Sequence, residues 1–266
     1  MMYGLDSRNH IDLSTYQEIK TQTSSKGNQS KFYQQGYWVK LDFMGYESLA
    51  EVIASELIQL TNIPPELHLP YGLAIYEGED QQQICCVSPN FIASDEELVT
   101  LHRLFTIYRG AQYIHTFDDT TITSLIQAVV EAVVDYTGLQ DFGHYLSQML
   151  AFDSLILNED RHFNNIGVIK TSTGYRYMPI FDNGLSLGSD TTFTMGTPAQ
   201  MLVRKIKAKP FDTSFKRQLN AVQFLYGATL QIDVDLANLK DRIRSLDWYS
   251  TAVRERVIDL LCLKLA

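Results

Sequence analysis

The sequence is poor in cysteine, has no long apolar run and is short of positive charge, and each shortage narrows what the chain can be. Its three cysteines include the adjacent pair Cys85 and Cys86 inside an apolar stretch, a spacing that frames neither a secreted disulfide scaffold nor a zinc site. Both read as buried thiols. No apolar run is long enough to span a bilayer, and the opening Met1-Met2 is not followed by a basic and then an apolar segment, so a cytoplasmic chain without a membrane span or leader is expected. The 22 Lys and Arg stand against 31 Asp and Glu for a formal charge of −9, which argues against nonspecific attraction to nucleic acid or an anionic membrane surface. Internal repeats and low-complexity tracts are absent, and His68, His102, His115 and His144 lack metal-ligand spacing. What is present is an ordinary globular composition, 45% hydrophobic and 20% charged over 266 residues, which suits a real core and two lobes sharing a cleft.

The texture of the chain changes near residue 91. A polar, glycine-containing segment, residues 21–30, precedes a strand expected from Tyr37 to Phe43. Apolar residues at 49, 50, 53, 54, 57, 58 and 60 then predict a helix opened by Ser48 and closed by Asn62 and Pro64. Residues 71–76 and 83–88 read as short strands around a polar turn, so residues 1–91 form a sheet carrying one helix. From about residue 95 the chain reads as mainly helical. Ile122, Leu125, Ile126, Val129, Val130, Val133 and Val134 mark one apolar face ended by Gly138. Further helices are expected over 142–157 and in the tail around 236–246 and 253–261. The exception is a hairpin, Ile166 to Lys170 and Tyr175 to Phe181, joined by a four-residue turn, Thr171 to Gly174. Residues 92–266 therefore read as a helical lobe, and the fold class as α/β (α+β).

That hairpin holds the informative residues. Asn158-Glu159-Asp160-Arg161-His162-Phe163-Asn164-Asn165 leads into it and Phe181-Asp182-Asn183-Gly184 follows it. Pairing of the two strands brings Asn165 and Asp182 to the same open end, since each intervening residue spans only ~3.4 Å. A carboxylate and an amide oxygen there suit Mg²⁺, which completes its octahedron with phosphates and water. Asp160 lies five residues before Asn165, in the place of a loop carboxylate that orients an attacking hydroxyl in phosphoryl transfer. Upstream, Gly27 with Ser25 and Asn28 lets backbone N–H groups approach phosphates. Lys40 follows on a strand, Glu51 on the helix is its candidate partner, and Ile84 to Phe91 offers hinge backbone for adenine, with Phe91 packing on the base.

The run DSLILNEDRHFNNIGVI followed by FDNG resembles the HipA-like kinases, in particular their compact, CtkA-like members. EVIASELIQLTNIP resembles that family's first-lobe helix and SSKGNQSK its phosphate-binding loop; the likeness extends from about residue 20 to the AKPF segment, Ala208 to Phe211. The resemblance implies a two-lobed protein-kinase-like fold, ATP and Mg²⁺ as cofactors, and a protein serine or threonine as acceptor. It also implies Asp160 as catalytic base, Asn165 and Asp182 as metal ligands, and Lys40 as phosphate contact held by Glu51. Serines Ser24, Ser25 and Ser30 become candidates for autophosphorylation. The full HipA toxins carry a further N-terminal subdomain for which this chain has little room, so DNA repression is not implied, and an antitoxin stands only as a partner that the toxin members suggest.

Rival readings exist for several residues. Ser48 and Glu51 have the S-x-x-E spacing of a capping box, in which Glu51 bonds to the Ser48 backbone instead of to a lysine. Arg161 and His162 read as loop support, with His162 fixed by hydrogen bonds. Arg204, Lys205, Lys207, Lys209, Lys216 and Arg217 form a basic run in an acidic chain, read as a solvated face or a guide for an acidic substrate. The alternatives to a protein kinase are a lipid or small-molecule kinase, which shares DRHxxN and D-x-G, and a nucleotide-binding pseudokinase acting as an interaction module.

Overall fold

The computed structural model describes residues 1–19, 29–77, 82–109, 121–192 and 194–265. Six strands, β1 (Gly4–Ile11), β2 (Gln17–Glu18), β3 (Lys31–Gln34), β4 (Tyr37–Leu41), β5 (Gly72–Glu77) and β6 (Gln82–Pro89), make one sheet in the order β1-β5-β6-β4-β3-β2. Only β1 and β5 run parallel. Strands β3 and β4 turn through Gln35 and Gly36, both at positive φ (47° and 85°), the backbone a two-residue hairpin loop needs to match strand twist. The resulting register sets Lys31 opposite Lys40.

Helix α1 (Glu47–Gln59) crosses this sheet, and eleven of its thirteen residues are buried, Glu47, Ser48, Glu51 and Ser55 among them. A helix enclosed almost all round must find partners for its polar groups. Asp42 Oδ1 accepts the Ser48 amide at 2.6 Å, and the Glu47 carboxylate accepts the amides of Phe43, Met44 and Gly45 at 3.3, 2.6 and 3.1 Å. Anionic groups at a helix N-terminus are favourably placed against its dipole. Cys85 and Cys86 are buried in β6, as expected, and burial pushes the Cys85 thiol up to about 12.

The remaining helices are α2 (Leu101–Arg109), α3 (Ile122–Thr137), α4 (Phe142–Ile156), α5 (Ala199–Lys205), α6 (Phe215–Tyr226), α7 (Leu236–Arg244) and α8 (Thr251–Leu265). Thr121 caps α3 and Gly138, in the left-handed region, ends it. Thirteen of the fifteen residues of α4 are buried, because α3, α6 and α8 surround it. One continuous core joins α1, through Leu49, Ile53 and Leu57, to Met149, Phe152 and Leu260 of the helical layer, while Ile11, Val39, Leu41 and Val87 form a smaller cluster apart from it. Arg256 of α8 reaches back to the Tyr46 hydroxyl (3.0 Å), the Gly188 carbonyl (3.0 Å) and Thr194 Oγ1 (2.7 Å), while Tyr46 donates to the Leu187 carbonyl. No described helix is long and apolar enough to cross a membrane.

The hairpin differs from its sequence reading. It belongs to a three-stranded sheet, β7 (Glu97–Thr100), β8 (Gly167–Thr171) and β9 (Gly174–Tyr177), in that order. Strand β7 sits where helix was expected from residue 95, and a four-residue strand running directly into a helix leaves no turn signal. Thr171 pairs with Gly174, so the connection is the two residues Ser172 and Thr173, and β9 ends short of Phe181. A Cβ at Gly167 would meet the Val99 carbonyl at 2.5 Å, so β7 and β8 can approach only with glycine there.

Asp42 also accepts the Tyr249 hydroxyl at 3.0 Å. Burial pushes its carboxyl up to about 7 against the bonds from Ser48 and Tyr249. A folded value above the unfolded one means that the folded chain holds an extra proton between pH ~4 and ~7, so stability falls as pH rises through that window. Asp42→Asn is expected to flatten the dependence of the urea midpoint on pH between those limits; an unaltered slope would assign it to other groups.

Candidate active site

The loop carrying Asp160 begins where α4 stops. Leu157 adopts a left-handed conformation (φ 56°), and its amide and that of Asn158 both bond to the Asp153 carbonyl. The chain then turns back under Arg161, which is fully buried. Its guanidinium meets Asp153 Oδ2 at 2.9 Å and Oδ1 at 3.0 Å, the carbonyls of Asn165 and Phe181 at 3.2 and 2.7 Å, and Asn183 Oδ1 at 2.6 Å. One side chain therefore binds both segments that flank the hairpin, and this draws residues 165 and 182 together. Burial raises the Asp153 carboxyl against the opposing charge of Arg161, and Asp153 raises the guanidinium despite its burial.

Lys40 lies on β4 and points toward α1 and the turn after Phe181. Its Nζ is 2.7 Å from Glu51 Oε1 and 2.8 Å from Asp182 Oδ1, and Glu51 Oε2 accepts the Asn183 amide at 2.8 Å. The capping box is thus not formed: Asp42 takes the Ser48 amide, which leaves Glu51 to bridge the sheet and the Asp182 turn. Burial opposes charge on Lys40, but Asp182 and Glu51 outweigh it and hold the ammonium well above its usual range. Burial likewise opposes charge on Asp182, and Lys40, with Lys31 and Arg161 beyond it, holds that carboxyl well below the usual carboxylate range. Lys31 was not singled out in the sequence; a strand pair about Gln35-Gly36 was the signal that would have set it across from Lys40.

These groups face one cavity of about 390 Å³, lined by Lys31, Lys40, Phe91, Asp160, Asn165 and Asp182 with neighbours from β6 and the loop. Asn165 Nδ2 donates to the Asp160 carbonyl at 3.0 Å; Asn165 Oδ1 and Asp182 Oδ2 make no hydrogen bond among the described residues. Asp182 itself is held at φ 57°, a costly conformation for a residue with a Cβ. Asp160 Oδ1 meets Lys209 Nζ at 2.7 Å. Lys209 therefore stands apart from the rest of the basic run, whose Arg204, Lys205, Lys207, Lys216 and Arg217 are exposed. His162 is fixed in the loop through its backbone, its amide donating to the Asp160 carbonyl and its carbonyl accepting the Asn165 amide, both at 2.8 Å; of its ring, Nδ1 is buried without a partner among the described residues and Nε2 is 3.7 Å from Asp160 Oδ2.

The Phe91 ring lies against that of Phe181, centroids 5.1 Å apart. The hinge backbone is narrower than the Ile84 to Phe91 reading. Residues Gln82 to Val87 pair with β5 and Cys85 to Pro89 with β4, so only from Ser88 onward does the β5 side of the strand open. Ser24, Ser25, Gly27 and Asn28 lie outside the described residues. Ser30 is described, and its carbonyl accepts the Leu41 amide at 3.2 Å.

A sheet with one crossing helix, a helical layer, and a lysine–glutamate pair over the cavity between them make a two-lobed kinase-like fold. The structure is similar to the crystal structure of the proinflammatory kinase CtkA from Helicobacter pylori, with a TM-score of 0.61 and 16% identity, over 96% of this chain and 94% of that one. The compact, CtkA-like resemblance read in the sequence thus has a counterpart in three dimensions. No protein-family model and no curated protein matches the chain.

Breaking one side of a buried ion pair costs about 3–5 kcal/mol because the other charge is stranded. Arg161→Met, which strands Asp153 and two carbonyls, and Glu51→Gln, which weakens the hold on Lys40, are both expected to lower stability in urea unfolding, Arg161→Met by that amount. Ser48→Ala, whose hydroxyl reaches only the Lys40 carbonyl at 3.4 Å, is expected to cost about 1 kcal/mol or less. Equal losses in Ser48→Ala and Glu51→Gln would restore the capping reading.

Proposed function

We propose that the chain is an ATP-dependent phosphotransferase that modifies serine or threonine hydroxyls of a protein. The observation that carries this reading is the convergence of Lys40, Asp160, Asn165 and Asp182 on one cavity. Lys40, fixed by Glu51, contacts the α- and β-phosphates. Ser25, Gly27 and Asn28, which lie outside the described residues, are assigned to phosphate binding by their sequence alone, and adenine sits by Phe91 against backbone of residues 88–92.

The donors fit Mg²⁺: Asp182 is held ionised by Lys40, and the amide nitrogen of Asn165 is engaged by the Asp160 carbonyl, which leaves its oxygen as the donor for a cation. Two protein oxygens are what a hard cation needs when phosphates and water supply the rest. When bound, the ion neutralises charge on the β- and γ-phosphates. Asp160 orients the acceptor hydroxyl and takes its proton as the oxygen–phosphorus bond forms and the γ-phosphoryl leaves ADP.

Mass-resolved ATP assays of wild type, Asp160→Asn and Asp182→Asn test the reading. Each variant is expected to lose on the order of 100-fold or more in turnover. Transfer undiminished in both would remove the assignments, and Mg²⁺-dependent thermal stabilisation by ATP without any transfer would make the chain a nucleotide-binding module instead. Intact-mass measurement after incubation with ATP and Mg²⁺ is expected to show added phosphate, and peptide fragmentation to locate it at Ser24, Ser25 or Ser30. Unmodified protein in an active sample would rule out autophosphorylation.

A further inference from the structure

We propose that Lys209 is a positioning residue that sets the orientation of Asp160 toward the acceptor hydroxyl; this rests on the phosphotransferase reading. Lys209 Nζ lies 2.7 Å from Asp160 Oδ1, with side-chain exposures of 38% and 14%. The segment that delivers it is built onto the loop of Asp160. Ala208 and Phe211 on either side are buried, the Ala208 amide bonds to the Thr213 carbonyl (2.9 Å), and the Phe211 amide to Gln218 Oε1 (3.0 Å). The Phe211 ring meets Phe163, three residues beyond Asp160, edge-on at 5.6 Å, and Phe163 in turn meets Phe105 at 5.8 Å. Arg204, Lys205, Lys207 and Lys216 of the same basic run make no ion pair among the described residues. Arg217 pairs with Asp212 of its own segment at 3.2 Å, so Lys209 is the member of the run that reaches the Asp160 loop.

Two carboxylates face the cavity, and each has its own lysine. Lys40 holds Asp182 from the sheet side; Lys209 holds Asp160 from the helical side. With the ammonium on Oδ1, Oδ2 is the oxygen on the side of His162, 3.7 Å from its Nε2. Loss of the Lys209 ammonium removes the charge held 2.7 Å from Asp160 Oδ1, and a misplaced base slows the chemistry while nucleotide still binds.

Steady-state kinetics of Lys209→Met, Lys209→Arg, Lys207→Ala and the Lys209→Met/Asp160→Asn double variant test this with ATP, Mg²⁺ and the chain's own serines or a protein acceptor. Lys209→Met is expected to lower kcat on the order of 10- to 100-fold with KM for ATP unchanged. Lys209→Arg recovers most of the loss, and Lys207→Ala has none. The double variant is expected to be no slower than Asp160→Asn alone, because the lysine acts through that carboxylate. An unchanged kcat in Lys209→Met, or a further multiplicative loss in the double variant, overturns the proposal. Wild type without transfer overturns the phosphotransferase reading itself, whereas activity lost in Asp160→Asn but kept in Lys209→Met overturns only the role of Lys209. Urea midpoints check folding, and Lys209→Gln repeats the comparison if Lys209→Met does not fold.

Discussion

A buried ammonium cannot stand alone, and the structure is arranged around satisfying one. Lys40 on the sheet requires anionic partners from elsewhere, because desolvating its charge without them would cost several kcal/mol. It finds Glu51 on α1 and Asp182 after the hairpin, and Glu51 closes the triangle through the Asn183 amide. Sheet, helix and the Asp182 turn are thereby set relative to one another by a single cation. Where any one of them moved away, a charge would be left without a partner.

Arg161 repeats the principle on the other side of the cavity. Its guanidinium has enough donors in fixed directions to hold Asp153, two carbonyls and Asn183 together, a set that lysine's compact charge could not span. The polar residues that line the cavity are thus held by side chains that are themselves buried. The proposed phosphoryl transfer asks chiefly for position and charge neutralisation, and two enclosed cations brace the walls of the cavity before any ligand arrives. The left-handed backbone at Leu157 and Asp182 marks where the chain bends most sharply to accommodate that bracing.

Much of this was legible because chemistry and periodicity agreed. The apolar spacing of α1 and α3 and the Gly138 stop located helices to within a residue or two, and DRHxxN with DNG located the loop and the turn around the cavity. Other parts were silent for physical reasons. Strand β1 turns Ser7 and Asn9 inward alongside Leu5 and Ile11, so no apolar alternation marks it; both polar side chains donate to the Leu73 carbonyl of β5. Strand β7 is too short to show a period. Lys209 looked like one basic residue among six, since the packing of Phe211 on Phe163 that turns it inward is a long-range contact. Glu51 had two local explanations, and only the presence of Asp42 at the Ser48 amide separates them.

The clamp made by Arg256 has a consequence for how the protein comes into being. Ribosomes release the chain from its N-terminus, so every group Arg256 grips, from Tyr46 to Thr194, is made before the residue that grips it. A nascent polypeptide can therefore carry every residue that lines the cavity while the segment after the Asp182 turn still lacks its tether from α8.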